Sequence, residues 1–135
     1  MKYFLVLFSI AAFYSCKNAE YKKSTDPVDA AREFIRASLD GDFDKAEMYL
    51  AKDDNNRNFY KLYTEKYSHL SPIEKEGFKK SSIIINKVEN INDSTIIVNY
   101  ANTFKNKNFE LKVYKQNGEC WIDFYYGITG NLNIE

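Results

Sequence analysis

The stretch Asn108–Tyr126, NFELKVYKQNGECWIDFYY, decides the fold. Apolar residues alternate with polar ones through Phe109, Leu111 and Val113, and again through Cys120, Ile122 and Phe124. Between the two runs sits Asn117-Gly118, a dipeptide that readily takes the left-handed backbone of a two-residue hairpin turn. A period of two on both sides of such a turn reads as an antiparallel hairpin. Its geometry sets Val113 opposite Ile122 and Leu111 opposite Phe124.

Working towards the N-terminus, two more segments are rich in β-branched and aromatic residues, Ile83–Asn90 and Ser94–Phe104. Asn108–Gln116 and Glu119–Tyr126 complete a set of four. Asn92-Asp93 and Asn106-Lys107 mark the earlier turns, so the expected sheet is a four-stranded antiparallel meander. Two-residue loops there set Ile85 opposite Tyr100, Phe104 opposite Phe109 and Asn102 opposite Leu111. All three turns then agree on one apolar face, containing Ile83, Ile85, Val98, Tyr100, Phe104, Phe109, Leu111, Val113, Cys120, Ile122, Phe124 and Tyr126. A slip of one residue would scramble that agreement. The opposite face holds Asn86, Asn99, Glu110, Lys112, Tyr114, Trp121, Asp123 and Tyr125, with Ile84, Val88 and Ile97. On it Lys112 faces Asp123, and Tyr114 faces Trp121 with Tyr125 two residues on. Trp and Tyr are enriched at interaction hot spots, which makes Tyr114, Trp121 and Tyr125 the expected protein-contact surface.

Helices precede the strands. Asp26-Pro27 has the form of an N-cap followed by a first-turn proline. Val28, Ala31, Ile35 and Leu39 recur at helical spacing beside Phe34, and Gly41 suits a left-handed C-cap. Asp42 caps a second helix with Phe43, Ala46, Tyr49 and Leu50 inward. Asp53–Asn58 reads as a polar turn. A third helix follows with the stripe Phe59, Tyr63, Tyr67 and Leu70, and Ser71-Pro72 opens a last short turn or helix through Lys80. The fold class expected is α+β, with N-terminal helices packed on one face of the meander.

At 135 residues the chain has room for one domain. Nineteen basic and nineteen acidic side chains cancel. There is no basic field for phosphates, which argues against nucleic acid as partner. The cysteines are Cys16 and Cys120, and the single histidine is His69. They form no Cys/His constellation with zinc spacing, so neither a metal nor another cofactor is expected.

The N-terminus has its own pattern. Lys2 is the only charge in residues 1–15, and Tyr3–Tyr14 is an apolar run interrupted by Ser9. Twelve residues are too few to cross about 30 Å of hydrocarbon as a helix, but they suit the core of a signal peptide. Ser15-Cys16 resembles the end of a bacterial lipobox, in which the cysteine becomes the acylated first residue. Phe13 and Tyr14 are bulkier than usual there, a looseness that resembles lipoproteins of the Bacteroidota. The reading divides the chain into a lipoprotein signal peptide (1–15), lipidated Cys16 with a polar tether (16–25), and a domain (26–135). If Cys16 is acylated, Cys120 has no partner for a disulfide. The tether Lys17–Thr25 could extend about 30 Å at roughly 3.4 Å per residue, so the domain could stand clear of the bilayer.

Asp26–Leu50, DPVDAAREFIRASLDGDFDKAEMYL, resembles the opening of a lipoprotein branch of the nuclear transport factor two-like superfamily, a domain of unknown function. Gly118–Phe124, GECWIDF, is similar to its closing strand. The resemblance implies a cystatin-like cone in the cell envelope, anchored outside the cytoplasm and expected at the outer membrane. It implies no activity. The functional reading is a membrane-anchored lipoprotein with a non-catalytic binding or accessory domain. The domain would take a small apolar ligand in the cone, facing Tyr100 and Tyr126, or use its outer sheet face for a homodimer or an envelope protein. The alternative is a small-molecule enzyme like the ketosteroid isomerases, using the cone interior. Such enzymes place an acid or base in an apolar pocket. Here the inward groups are Tyr100, Tyr126, Asn102 and Cys120, and no catalytic residue is assigned. Cys120 is expected to be a buried inert thiol, and His69 a solvated or capping residue near a helix end.

Overall fold

The structure is a computed structural model and describes residues 21–130. The expected signal peptide and Cys16 lie outside the described residues. The elements in chain order are α1 (Pro27–Asp40), α2 (Phe43–Glu47), α3 (Asp54–Ser68), α4 (Pro72–Lys80), β1 (Ile83–Asn92), β2 (Thr95–Asn102), β3 (Asn108–Gln116), β4 (Glu119–Asp123) and α5 (Phe124–Gly130). The strands form one antiparallel sheet in the order β1-β2-β3-β4, the meander expected. The fold is α+β.

Local signals set the helix ends. Asp26 Oδ1 accepts from Val28 N and Asp29 N, both at 2.9 Å, which satisfies two donors that the first turn of α1 leaves free. Gly41 ends α1 at φ 77°, a left-handed backbone that glycine adopts without strain. Ser71 and Glu74 close a reciprocal capping box on α4. Arg36 then ties α1 to the far end of α4: Nη1 donates to Ser81 O at 2.7 Å and Nη2 to Phe78 O at 3.0 Å.

α3 begins earlier than the sequence reading has it. Asp53 is its N-cap, with Oδ1 accepting from Asn56 N at 2.9 Å, so Asp54–Asn58 is helix and not a turn. The earlier start adds Asn56 and Tyr60 to the inward face, both buried with Tyr67, while Phe59 and Tyr63 of the expected stripe are half-buried against the core. The Tyr60 hydroxyl shares a hydrogen bond of 3.0 Å with Ser38 Oγ.

Two of the three strand connections depart from two-residue loops at the expected places. Asn117 (φ 54°) and Gly118 (φ 77°) form the expected turn, with Val113 opposite Ile122. At the first connection Asn92 Oδ1 accepts from Ser94 N at 2.9 Å, an Asx-turn that moves the loop to Asp93-Ser94. Bulges between Ile85 and Lys87 and between Asn90 and Asn92 absorb the shift and return Ile85 to Tyr100. Between the bulges the faces exchange, so Val88 pairs with Val98 on the inner face and not the outer one. At the second connection Asn102 Oδ1 caps Lys105 N at 2.9 Å and ends β2 there. Leu111 therefore opposes Val98 instead of Asn102, and Phe109 opposes Tyr100 instead of Phe104. The displacement is an even number of residues, so inward side chains stay inward. Phe104 leaves the sheet and packs its ring against Phe78 at 5.0 Å.

β4 is shorter than expected. Asp123 Oδ1 accepts from Tyr126 N at 3.0 Å and caps α5, so Phe124, Tyr125 and Tyr126 are helical. Leu111 consequently has no strand partner in β4. α5 lies beside that part of β3, so close that a Cβ on Gly127 would run into the Glu110 carbonyl oxygen.

The core lies between α1 and the inner sheet face. Ala30, Ala31, Phe34 and Ile35 meet Val98, Leu111, Val113, Cys120 and Ile122, all at 2% exposure or less. The alanines let α1 approach the sheet closely. Phe34, Tyr60 and Phe124 fill the wider end, with ring centroids 5.3–6.1 Å apart.

Candidate functional site

The outer edge of β4 is finished by a segment from far away in sequence. Leu50 makes a parallel bridge to Ile122. Ile122 N donates to Tyr49 O at 2.7 Å and Ala51 N to Ile122 O at 2.9 Å. This pairing sets Lys52 beside Trp121 on the outer face, its Nζ 4.9 Å from the ring centroid. Tyr114 lies opposite Trp121 as expected, and Lys112 Nζ donates to Asp123 Oδ2 at 3.2 Å.

A second segment also covers this edge. Residues 21–25, expected to be free tether, are bound to the domain. The Tyr21 and Tyr49 hydroxyls are 2.9 Å apart, and Ser24 N donates to the Tyr49 hydroxyl at 2.9 Å. Lys23 reaches across β4 and sets its Nζ 3.6 Å from the Trp121 ring centroid. A cation that close to an indole face is attracted by the ring quadrupole. Lys23 Nζ has Glu119 Oε2 at 3.8 Å but makes no hydrogen bond. Desolvation pulls its pKa below the ordinary lysine value, with Glu119 partly opposing. Burial also pushes the Tyr49 hydroxyl up.

Two surface grooves flank this edge. One, of about 370 Å³, runs from Leu50, Ala51 and Lys52 to Arg57, Tyr60 and Lys61 on α3. The other, of about 580 Å³, lies between Met48, Glu119 and Tyr21–Thr25. Among their linings are five cationic side chains (Lys22, Lys23, Lys52, Arg57, Lys61) and two carboxylates (Glu47, Glu119). Lys52 lines the first groove and Lys23 the second, and both ammonium groups lie over the Trp121 ring.

The remaining expected site residues separate. Tyr125 leaves the Trp121 cluster with α5 and packs edge-on against Phe59, ring centroids 4.9 Å apart. Tyr126 is also on α5, with Lys112 Nζ 5.5 Å from its ring, and so does not lie on the inner sheet face as a strand residue. Tyr100 stays on the inner face, half-buried and tilted against Phe109 at 5.7 Å, and burial raises its hydroxyl pKa. Cys120 is fully buried and free, its Sγ 3.4 Å from Thr25 O, with its pKa raised by desolvation. His69 is exposed at the C-cap of α3. Among the described residues no cluster of His, Cys, Asp and Glu could hold a metal, and no helix is long and apolar enough to cross a membrane.

One buried polar hub holds these parts together. Asn56 Nδ2 donates to Asp53 Oδ2 at 2.8 Å and to Asp123 Oδ1 at 3.3 Å, while Asn56 Oδ1 accepts from Tyr125 N at 2.9 Å. It fixes the start of α3 to the end of β4 and the start of α5. Sequence reasoning misses Asn56, Lys23 and Lys52, and places Tyr49 only as an inward residue after Asp42. Alternation on the strands identifies Trp121, but nothing local identifies the side chains that come to cover it.

No family model matches the chain, no curated protein matches it, and no solved structure matches its fold.

Proposed function

We propose that this protein is a lipid-anchored envelope protein whose domain is a non-catalytic binding module, working through its surface at Trp121. The observation that carries the reading is the Trp121 ring with two lysine ammonium groups over it, at 3.6 and 4.9 Å, one lysine lining each of two surface grooves. A half-exposed indole flanked by cations suits a protein surface rich in carboxylates. The interior supports the same choice over a ligand-filled cone. Ser38 bonds Tyr60, Asn102 bonds its own loop, and Cys120 is 3.4 Å from Thr25 O. The signal-peptide pattern ending at Cys16 supports anchorage of the domain outside the cytoplasm.

The test uses the full chain in cells of an organism that acylates lipoproteins. Cys16→Ser is expected to move the protein from the membrane to the soluble fraction. Trp121→Ala is expected to leave it on the membrane and folded, but to abolish a crosslink formed from Tyr114 to an envelope protein. An unchanged Cys16→Ser fractionation contradicts the anchor. Turnover of an isomerisation or hydrolysis substrate that Tyr100→Phe abolishes contradicts the non-catalytic reading.

A further inference from the structure

β4 has its outer edge bridged by Tyr49–Ala51 and covered by the segment around Lys23. β1 has no strand beyond it among the described residues. Its outward backbone groups are free to pair, and it exposes apolar side chains: Ile84 is 44%, Val88 40% and Ile91 53% exposed. Open edges usually carry charge that deters pairing. Here Lys87 Nζ is 2.7 Å from Glu89 Oε2 on the same strand, so the charge is neutralised locally.

The sequence of this edge is nearly symmetric. Ile85-Asn86-Lys87-Val88-Glu89-Asn90-Ile91 reads outward from Val88 as Lys and Glu, Asn and Asn, Ile and Ile. Laid antiparallel against a copy of itself and centred on Val88, it sets Lys87 opposite the partner's Glu89, and Glu89 opposite the partner's Lys87. Both residues point to the outer sheet face, since Lys87 pairs with Asn99 and Glu89 with Ile97. Four charges of alternating sign then lie side by side. The bulges at Asn86 and Ile91 bound the regular stretch Lys87–Asn90 and keep the ladder short. We infer that β1 pairs edge to edge with β1 of a second copy of this chain, about a two-fold axis at Val88, to give one continuous eight-stranded sheet. The assembly closes at two chains, because each outer edge is then a β4 edge already covered.

The test is sedimentation of the full chain in a mild non-ionic detergent over about a hundredfold range of concentration. The wild type is expected to form a dimer. Lys87→Glu places Glu opposite Glu, and Glu89→Lys places Lys opposite Lys, twice per dimer in each case. Each is expected to weaken self-association about tenfold or more. Both side chains are more than half exposed, so circular dichroism should remain that of the wild type. An equimolar mixture of the two variants restores every opposite-charge pair between unlike chains and is expected to regain a 1:1 heterodimer. The double variant K87E/E89K should self-associate as the wild type does. A wild type that stays monomeric throughout, single variants that dimerise unchanged, or a mixture that stays monomeric would each overturn the pairing.

Discussion

The two edges of this sheet are built in opposite ways. At β4 the chain returns twice to cover its own work, with Tyr49–Ala51 bridging Ile122 and Lys23 crossing Trp121. Beyond Asp123, α5 takes over the edge of β3. At β1 nothing among the described residues returns, and three apolar side chains stay in water. Both strands carry Ile at inward positions, although β1 runs ten residues and β4 five. What separates them is the backbone beyond the edge. An unpaired strand edge is a template for another strand, so a chain that covers one edge and leaves the other has left a place for pairing.

The same substitution at the two edges should give very different results. Ile122 is fully buried beneath α1, and Ile122→Ala should destabilise the domain by about 3 kcal/mol through lost burial and a residual cavity. Ile91→Ala should change monomer stability by no more than about 0.5 kcal/mol, because Ile91 is already half in water. Urea unfolding of both variants checks the contrast, and equal losses would mean that β1 is packed like β4.

Asn56→Asp tests the hub behind the β4 edge. It removes two donors and sets a third carboxylate beside Asp53 and Asp123. We expect a loss of about 2 kcal/mol at neutral pH. Crowding by like charges raises the pKa of the new carboxyl in the folded state. The loss should therefore shrink as pH falls and the group protonates, the reverse of ordinary acid destabilisation. Thermal melts across the acid range of pH would register that sign.

A smaller effect is expected where Lys23 crosses Trp121. Lys23→Ala should cost about 1 kcal/mol or less. It should also open the ring to solvent and raise acrylamide quenching of the single tryptophan. Unchanged quenching would mean that Lys23 does not cover the indole.

Around neutrality the smallest change of all is expected from pH itself. The hydroxyls of Tyr49, Tyr60 and Tyr63 are raised by burial, Tyr63 to about 12. A group whose folded pKa is raised contributes stability that is complete below the unfolded value and lost as pH climbs towards the folded one. The melting temperature should therefore stay flat through neutral pH and fall from about pH 10, where unfolded tyrosines ionise. A melting temperature that rises above that pH would contradict the burial of these hydroxyls.

The parts of the fold legible in the sequence are those written in neighbouring residues. Asp26-Pro27 and Gly41 bound α1, and Asn117-Gly118 sets one turn and its register. Inner and outer faces survived a displaced second turn because the displacement was even. Val88 did not survive, because a bulge inserts one residue and reverses parity, and Asn86 carries no signal that it will bulge. Asp53 and Asp123 each looked like ordinary polar residues, although each caps a helix. A cap and a turn draw on the same residue types, so tertiary contacts decide between them. The site was half legible. Trp121 and Tyr114 follow from alternation and Tyr49 from helical spacing as an inward residue, whereas Lys23 and Lys52 arrive through chain return and leave no local trace.

Amide hydrogen exchange at two concentrations of the full chain compares the two edges directly. If a second copy completes β1, protection of Lys87–Asn90 should increase with concentration while that of Cys120–Ile122 stays constant. Exchange at Lys87–Asn90 that is equally fast at both concentrations would mean that the edge stays open and that no second copy pairs with it.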